Sequence, residues 1–247
     1  MEVADIVLVH GAGTGEWLWD LEAEILRQRG HSVTAPTLSG VGDRLAEGGP
    51  ETSLSTHIDD VIGCLPDHAA AGLVLVGFSY GGLVAAGVVD RVPERVAMLV
   101  YLDAFVPVPG RSMFDLMPAS MQASLQAAAL SSGGGWQMPP IPLERLGPLG
   151  AIGAGVDLSR VQALLARRGP HPIGTYQEQA GPRNPRALQV PTVYITCGTH
   201  RDDDPMAPVV AAVRGAGIPI YVLPTGHFPM LTMPVELADL LESLLPV

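Results

Sequence analysis

The sequence predicts an α/β protein built on a doubly wound, mostly parallel six-stranded sheet, and three observations carry that expectation. Short β-branched apolar runs alternate with longer helix-like segments. Each run is nearly continuous in apolar character, as strands covered on both faces are. One stretch, "LVLVGFSYGGLVAAGVV" (residues 73–89), passes from strand to helix through a serine set between glycines.

In chain order the expected strands cover residues 5–10, 31–35, 73–77, 96–102, 192–197 and 218–223. Helices are expected over residues 17–29, 56–65, 80–91, 206–215 and 234–245, the alternation of parallel crossover units. Residues 105–189 break this rhythm, because they hold no convincing core strand. A structureless loop of that length does not belong in a compact domain. The interval is therefore expected to be a helical lid inserted after the fourth strand, with helices over residues 112–130 and 157–167 on either side of a Gly/Pro-rich stretch. Residues 1–104 and 190–247 would form the core.

The 247 residues carry a formal net charge of −11, which disfavours a nucleic-acid backbone or an anionic membrane surface as partner. No segment reaches the roughly 18 uninterrupted apolar residues of a bilayer crossing. A small molecule is the expected partner, and a homodimer stays open as the assembly state. Cys64 and Cys197 fall in apolar stretches and form no C-x-x-C pair, so they read as core residues rather than a disulfide or a zinc site. Only residues 1–5 precede the first strand-like run, too few for a signal peptide, and the expected compartment is the cytoplasm. All 14 basic residues are arginine, which removes any mechanism that needs a lysine.

The Gly-x-Ser-x-Gly pattern alone is weak; its context is what speaks. "LVLVG" leads a strand into it and "YGGLVAAGVVDRV" leads a helix out, the setting in which a sharp turn lifts a serine above the carboxyl edge of a sheet. Gly77 and Gly81 let that turn close, and Ser79 is the expected nucleophile. A serine hydroxyl needs a base, and His227, in "YVLPTGHFPML" after the last strand, projects from the same edge. His200 is second choice, because it precedes an acidic run. His31, His57, His68 and His171 read as solvated or packed, and His10 as a brace for its loop. The third member is a carboxylate that orients the imidazole. Asp103, closing the strand "MLVYL", leads; the triplet Asp202, Asp203 and Asp204, in the usual place for the acid, stays open with Asp204 or Asp202 as the alternative. The oxyanion of a tetrahedral intermediate needs two donors, expected from the N–H groups of Tyr80 and of Ala12 in "HGAGTGEWLW". That loop lacks the full G-x-G-x-x-G fingerprint of a dinucleotide site.

With these residues in place, the chain resembles the α/β-hydrolase superfamily over nearly its whole length. "LVHGAGTGEWLW" followed by "GFSYGG" is similar to the hydroxynitrile lyase and methylesterase branch, where the His-Gly-Ala loop gives one oxyanion donor, carried over onto Ala12, and the elbow serine falls on Ser79. "YLDAFVP" resembles a bacterial subgroup with an aspartate at this point, and fungal lactonases of resorcylic macrolactones take their acid from after the same strand, which supports Asp103. The lyases use an active-site lysine that this chain lacks. Dehalogenases and epoxide hydrolases carry an aspartate where Ser79 stands.

The expected activity is hydrolysis of a carboxylic ester or lactone of a small, largely apolar molecule through an acyl-enzyme, with no metal or organic cofactor. Trp17, Phe105, Phe114, Met117, Met121, Trp136 and Met138 are candidates for an apolar acyl or aromatic pocket, ordinary packing being the competing reading. Two alternatives stay open: a secondary-metabolism tailoring enzyme using the same residues for deacylation, acyl transfer, cyclisation or rearrangement, and a binding protein that kept the scaffold without turnover.

Overall fold

A computed structural model describes residues 3–66, 72–142, 158–181, 183–198 and 206–245. In chain order, β1 (Asp5–Val9) leads through a 3-10 turn (Glu16–Trp19) into α1 (Asp20–Gln28), followed by β2 (Ser32–Thr34), α2 (Leu54–Gly63), β3 (Leu73–Phe78), α3 (Gly81–Arg91) and β4 (Val96–Leu102). Next come β5 (Arg111–Ser112), α4 (Ala119–Ser132), β6 (Gln137–Met138), α5 (Leu158–Leu165), β7 (His171–Pro172), α6 (Gly174–Gln177) and β8 (Gln179–Ala180). Then follow β9 (Thr192–Cys197), α7 (Ala207–Gly215), β10 (Ile220–Leu223), α8 (Pro229–Thr232) and α9 (Pro234–Ser243).

Six strands form one parallel sheet in the order β2-β1-β3-β4-β9-β10. Successive side chains of a strand point to opposite faces, so each strand feeds two cores. Ile6, Leu8, Val74, Val76, Val100 and Leu102 join Leu26 of α1 and Leu237 of α9 on one side. Val7, Val9, Leu75, Leu99 and Tyr101 join Ile58 of α2 and Leu83 of α3 on the other. Burial on both faces is why the strands read as unbroken apolar runs rather than alternating ones. The register aligns Val9 with Gly77, Phe78 with Leu102, and Leu223 with Cys197. The residues that follow these strands therefore emerge along one carboxyl edge.

Two expectations are corrected. The helix expected over residues 112–130 starts only at Ala119, because Pro118 stands at its N-cap and Met117 before it is extended (φ −101°, ψ 154°); a residue preceding proline is pushed out of the helical region. The segment between β4 and β9 is also not purely helical, since β5 pairs with β8 and β6 with β7 in two short antiparallel ladders. Two-residue strands leave no periodic signal in a sequence. Among the described residues no helix is long and apolar enough to cross a membrane.

One buried group breaks the apolar pattern of α1. Glu22 and the Trp19 indole N–H are fully buried with no hydrogen-bond partner among the described residues. Burial pushes the Glu22 carboxyl from 4.5 up to about 9. The folded protein then keeps a proton that the unfolded chain gives up, so the stability Glu22 allows is complete below pH 4.5 and is lost as pH rises towards 9. The loss reaches about 3 kcal/mol by pH 7 at roughly 1.36 kcal/mol per pH unit. Glu22→Gln keeps the shape without the ionisation; thermal melts should show its Tm above that of the unmodified protein at pH 8, with the margin shrinking by pH 5.

Candidate active site

Ser79 follows β3 and Asp103 follows β4, side by side because Phe78 pairs with Leu102. Both have left-handed backbone, with φ 54° and 43°, and they are the only non-glycine residues with positive φ among those described. Such a conformation costs roughly 1–3 kcal/mol and persists only where surrounding bonds over-determine it. Those bonds are present. Ser79 N–H donates to Leu102 O at 3.3 Å, and Ser79 O accepts from Gly82 N at 3.1 Å and Phe105 N at 3.0 Å. Asp103 N–H donates to Ile195 O at 2.7 Å. Phe78 and Tyr80 are buried while Ser79 between them is partly exposed, so the turn presents the serine and hides its neighbours.

The turn is that tight because α3 begins against the strand ends. A Cβ on Gly81 would lie 2.6 Å from both Val9 O and His10 O. Only glycine fits there.

His227 lies four residues beyond β10, buried and packed on the Phe78 ring with centroids 4.8 Å apart. Its Nδ1 is 2.6 Å from Asp103 Oδ2, while Asp103 Oδ1 accepts from Cys197 N at 3.1 Å. A carboxylate can only accept, so Nδ1 carries the proton and the Nε2 lone pair is the basic end of the ring. Of the carboxylates considered from the sequence, Asp103 meets His227. Asp202, Asp203, Asp204 and His200 lie outside the described residues, as does His68.

Ala12 follows β1 and is partly exposed between buried neighbours. The peptide that carries its N–H also contains Gly11 C=O, which accepts from His10 Nδ1 at 2.8 Å and from the Thr14 hydroxyl at 2.8 Å. His10 Nε2 in turn accepts Leu38 N–H at 3.1 Å. A trans peptide points its N–H opposite to its C=O, so holding Gly11 O fixes the direction of the Ala12 N–H. His10 does brace its loop.

A network that left no motif in the sequence lies beside this loop. His57 Nε2–H donates to Ser39 O at 2.8 Å, and its Nδ1 accepts the Tyr80 hydroxyl at 2.9 Å. His171 packs edge-on against the Tyr80 ring, centroids 4.7 Å apart, and Tyr176 stacks on Tyr80 at 5.6 Å. His57, His171 and also His31 are buried, which replaces the solvated half of their expected reading. For His57 a helical signal existed, since Leu54, His57, Ile58 and Val61 share one buried stripe of α2; His171 offered none. Burial lowers His10 and His57 from 6.5 to about 4 and His171 well below the ordinary value.

The apolar candidates divide. Phe105, Phe114, Met117 and Met138 pack into the same cluster as Tyr80. Trp136 is half-buried, with its ring edge facing Gly48. Met121 is 49% exposed on α4, and Trp17 belongs to the opposite core, where it helps line a cavity of about 300 Å³ with Leu18, Leu21, Leu164 and Leu231.

The neutral histidines set an acid limit. A lowered pKa gives stability that is complete above 6.5 and is lost as pH falls through 4, roughly 2–3 kcal/mol for each of His10 and His57 by pH 4.5. The Tm should drop steeply between pH 7 and pH 4.5, and melts of His57→Gln should show a smaller drop than the unmodified protein.

A family model described as the alpha/beta hydrolase family matches residues 6–240. The chain is 35% identical to the carbendazim hydrolyzing esterase of Nocardioides sp. (strain SG-4G), over 98% of this chain and 100% of that protein. It is 27% identical to the pyrethroid hydrolase of Sphingobium wenxiniae, over 97% of this chain and 86% of that one. An extracellular alpha/beta-hydrolase from a Paenibacillus species superposes with a TM-score of 0.79 at 24% identity, covering 97% of this chain and 98% of the other.

Proposed function

Because the chain belongs to the alpha/beta hydrolase family and is an esterase-type member of it, we propose that it cleaves a carboxylic ester or lactone of a small, largely apolar molecule through a Ser79 acyl-enzyme. The observation that carries this reading is the 2.6 Å bond from His227 Nδ1 to Asp103, made beside a serine held in left-handed backbone at the adjoining strand end.

Ser79 Oγ attacks the ester carbonyl carbon and gives its proton to His227 Nε2, while Asp103 supports the imidazolium through Nδ1–H. The carbonyl oxygen becomes an oxyanion held by the N–H groups of Ala12 and Tyr80. Among the described residues neither N–H is taken up by a backbone partner in a turn or loop. Collapse breaks the bond to the alcohol oxygen, which takes the proton from His227 and leaves as the alcohol. Water then adds to the acyl-enzyme, gives a proton to His227, and releases the acid as Ser79 Oγ recovers its own. Residues 105–189 act as the lid, and Phe105, Phe114, Met117 and Met138, which belong to or pack against the core cluster that contains Tyr80, bound the acyl pocket. The two relatives, a carbendazim hydrolyzing esterase and a pyrethroid hydrolase, support an apolar ester-type substrate.

A fluorophosphonate probe should label Ser79 and leave Ser79→Ala unlabelled, read by peptide mass spectrometry. Asp103→Asn should keep its fold and lose about 10⁴-fold in kcat, while Asp204→Asn should stay near the unmodified rate. Failure of labelling would overturn the serine mechanism, and loss confined to Asp204→Asn would move the acid to that residue.

A further inference from the structure

The loop that carries Ala12 is held from a second direction, by the segment between β4 and β9. His171 Nδ1 accepts the Gly13 N–H at 3.2 Å, and Gly13 O accepts from Gly169 N at 2.9 Å. The two polypeptide stretches touch so closely that a Cβ on Gly13, whose φ is +65°, would sit 2.6 Å from Gly169 O. Gly13 N–H shares its peptide plane with Ala12 C=O, as Ala12 N–H shares its plane with Gly11 C=O. His10 and Thr14 thus hold the plane before Ala12 and His171 holds the plane after it.

The ring of His171 is itself fixed. A backbone N–H can only donate, so Nδ1 is unprotonated and the neutral ring carries its proton on Nε2. That atom lies 2.9 Å from the Thr175 hydroxyl oxygen, whose own proton goes to Pro172 O at 2.8 Å. The backbone around His171 is pinned by its pairing with Met138 and by Ile173 N–H donating to Trp136 O at 2.8 Å. One edge of the ring meets the Tyr80 ring, so a single side chain touches the residue of one oxyanion donor and orients the loop of the other.

We propose that His171 is a positioning residue for the oxyanion site, its Nδ1 locking the Ala12–Gly13 peptide so that the Ala12 N–H faces the carbonyl attacked by Ser79. The role rests on the serine-esterase reading above. It makes seating of residues 169–175 a condition for a formed oxyanion site, so the intervening segment contributes to the chemical step and not only to substrate fit.

The test compares His171→Phe, which fills the volume without an acceptor, with His171→Asn, whose Oδ1 takes the place of Nδ1, using p-nitrophenyl butyrate. His171→Phe should lower kcat about tenfold to a hundredfold, part of what loss of an oxyanion donor costs, with KM within about twofold because ground-state binding is untouched. His171→Asn should recover most of the rate. In parallel, two-bond ¹⁵N–¹H spectra of the unmodified protein should show His171 protonated on Nε2, and Gly13 amide exchange should quicken in His171→Phe but not in His171→Asn. A proton on Nδ1, equal kcat in the two variants, or unchanged kcat in both would overturn the proposal. A protein inert to every ester with Ser79 unlabelled overturns the esterase reading and the catalytic role of His171 together; the spectra still decide separately whether the Gly13 contact exists.

Discussion

The site depends on two residues in left-handed backbone at the ends of neighbouring parallel strands. Ser79 and Asp103 leave β3 and β4 at the same level, and each left-handed residue bends the chain out of its strand. An extended continuation would carry both side chains away from the sheet. The turn instead keeps the serine above the edge and brings the aspartate to His227 Nδ1. The cost of each conformation, roughly 1–3 kcal/mol, is offset by backbone bonds that tie Ser79 to the β4 end and Asp103 to β9.

Those bonds hold because the strand ends cannot move apart. α3 enters through Gly81 and Gly82, where a Cβ would meet Val9 O at 2.6 Å and Phe105 O at 2.5 Å respectively. The helix N-terminus is wedged between β1 and the chain leaving β4, and its apolar faces are buried along nearly its full length. Packing on both faces of the sheet then transmits any displacement of one strand end to the others, since close-packed interiors leave little room for local relaxation. Rigidity of the scaffold is what keeps Ser79, Asp103 and Ala12 in mutual register.

Histidine serves two opposite purposes in this fold. His227 donates its Nδ1 proton to the Asp103 carboxylate. His10, His57 and His171 are buried without such a partner, stay neutral, and act as paired donors and acceptors for backbone and hydroxyl groups. A neutral imidazole is suited to that work because it offers one donor and one acceptor at fixed positions. Through His57 and His171 the Tyr80 side chain is joined to the Ser39 loop and to residues 169–175, so the elbow, the Ala12 loop and the intervening segment share one buried network.

Much of this was legible in the sequence, and for a local reason. Strands buried on both faces must be short and continuously apolar, a crowded strand-to-helix turn must be lined with glycine, and a nucleophile and its base at strand ends must follow apolar runs. The six strands and their flanking helices could therefore be read from residues a few positions apart, as could Ser79, His227 and Ala12 as candidates. The partner of His227 could only be narrowed, to Asp103 first with the aspartates at residues 202–204 as the alternative. Asp103 and the aspartates at residues 202–204 both follow strands that border the site, and only the left-handed turn at Asp103 and the spatial approach of β10 bring one carboxylate to Nδ1. The two-residue ladders and the contact of His171 with Gly13, 158 positions away, likewise came from tertiary structure alone, whereas the late start of α4 follows from Pro118, a local signal. A contact between distant residues imposes no spacing and no periodicity, so it leaves no mark on a single sequence.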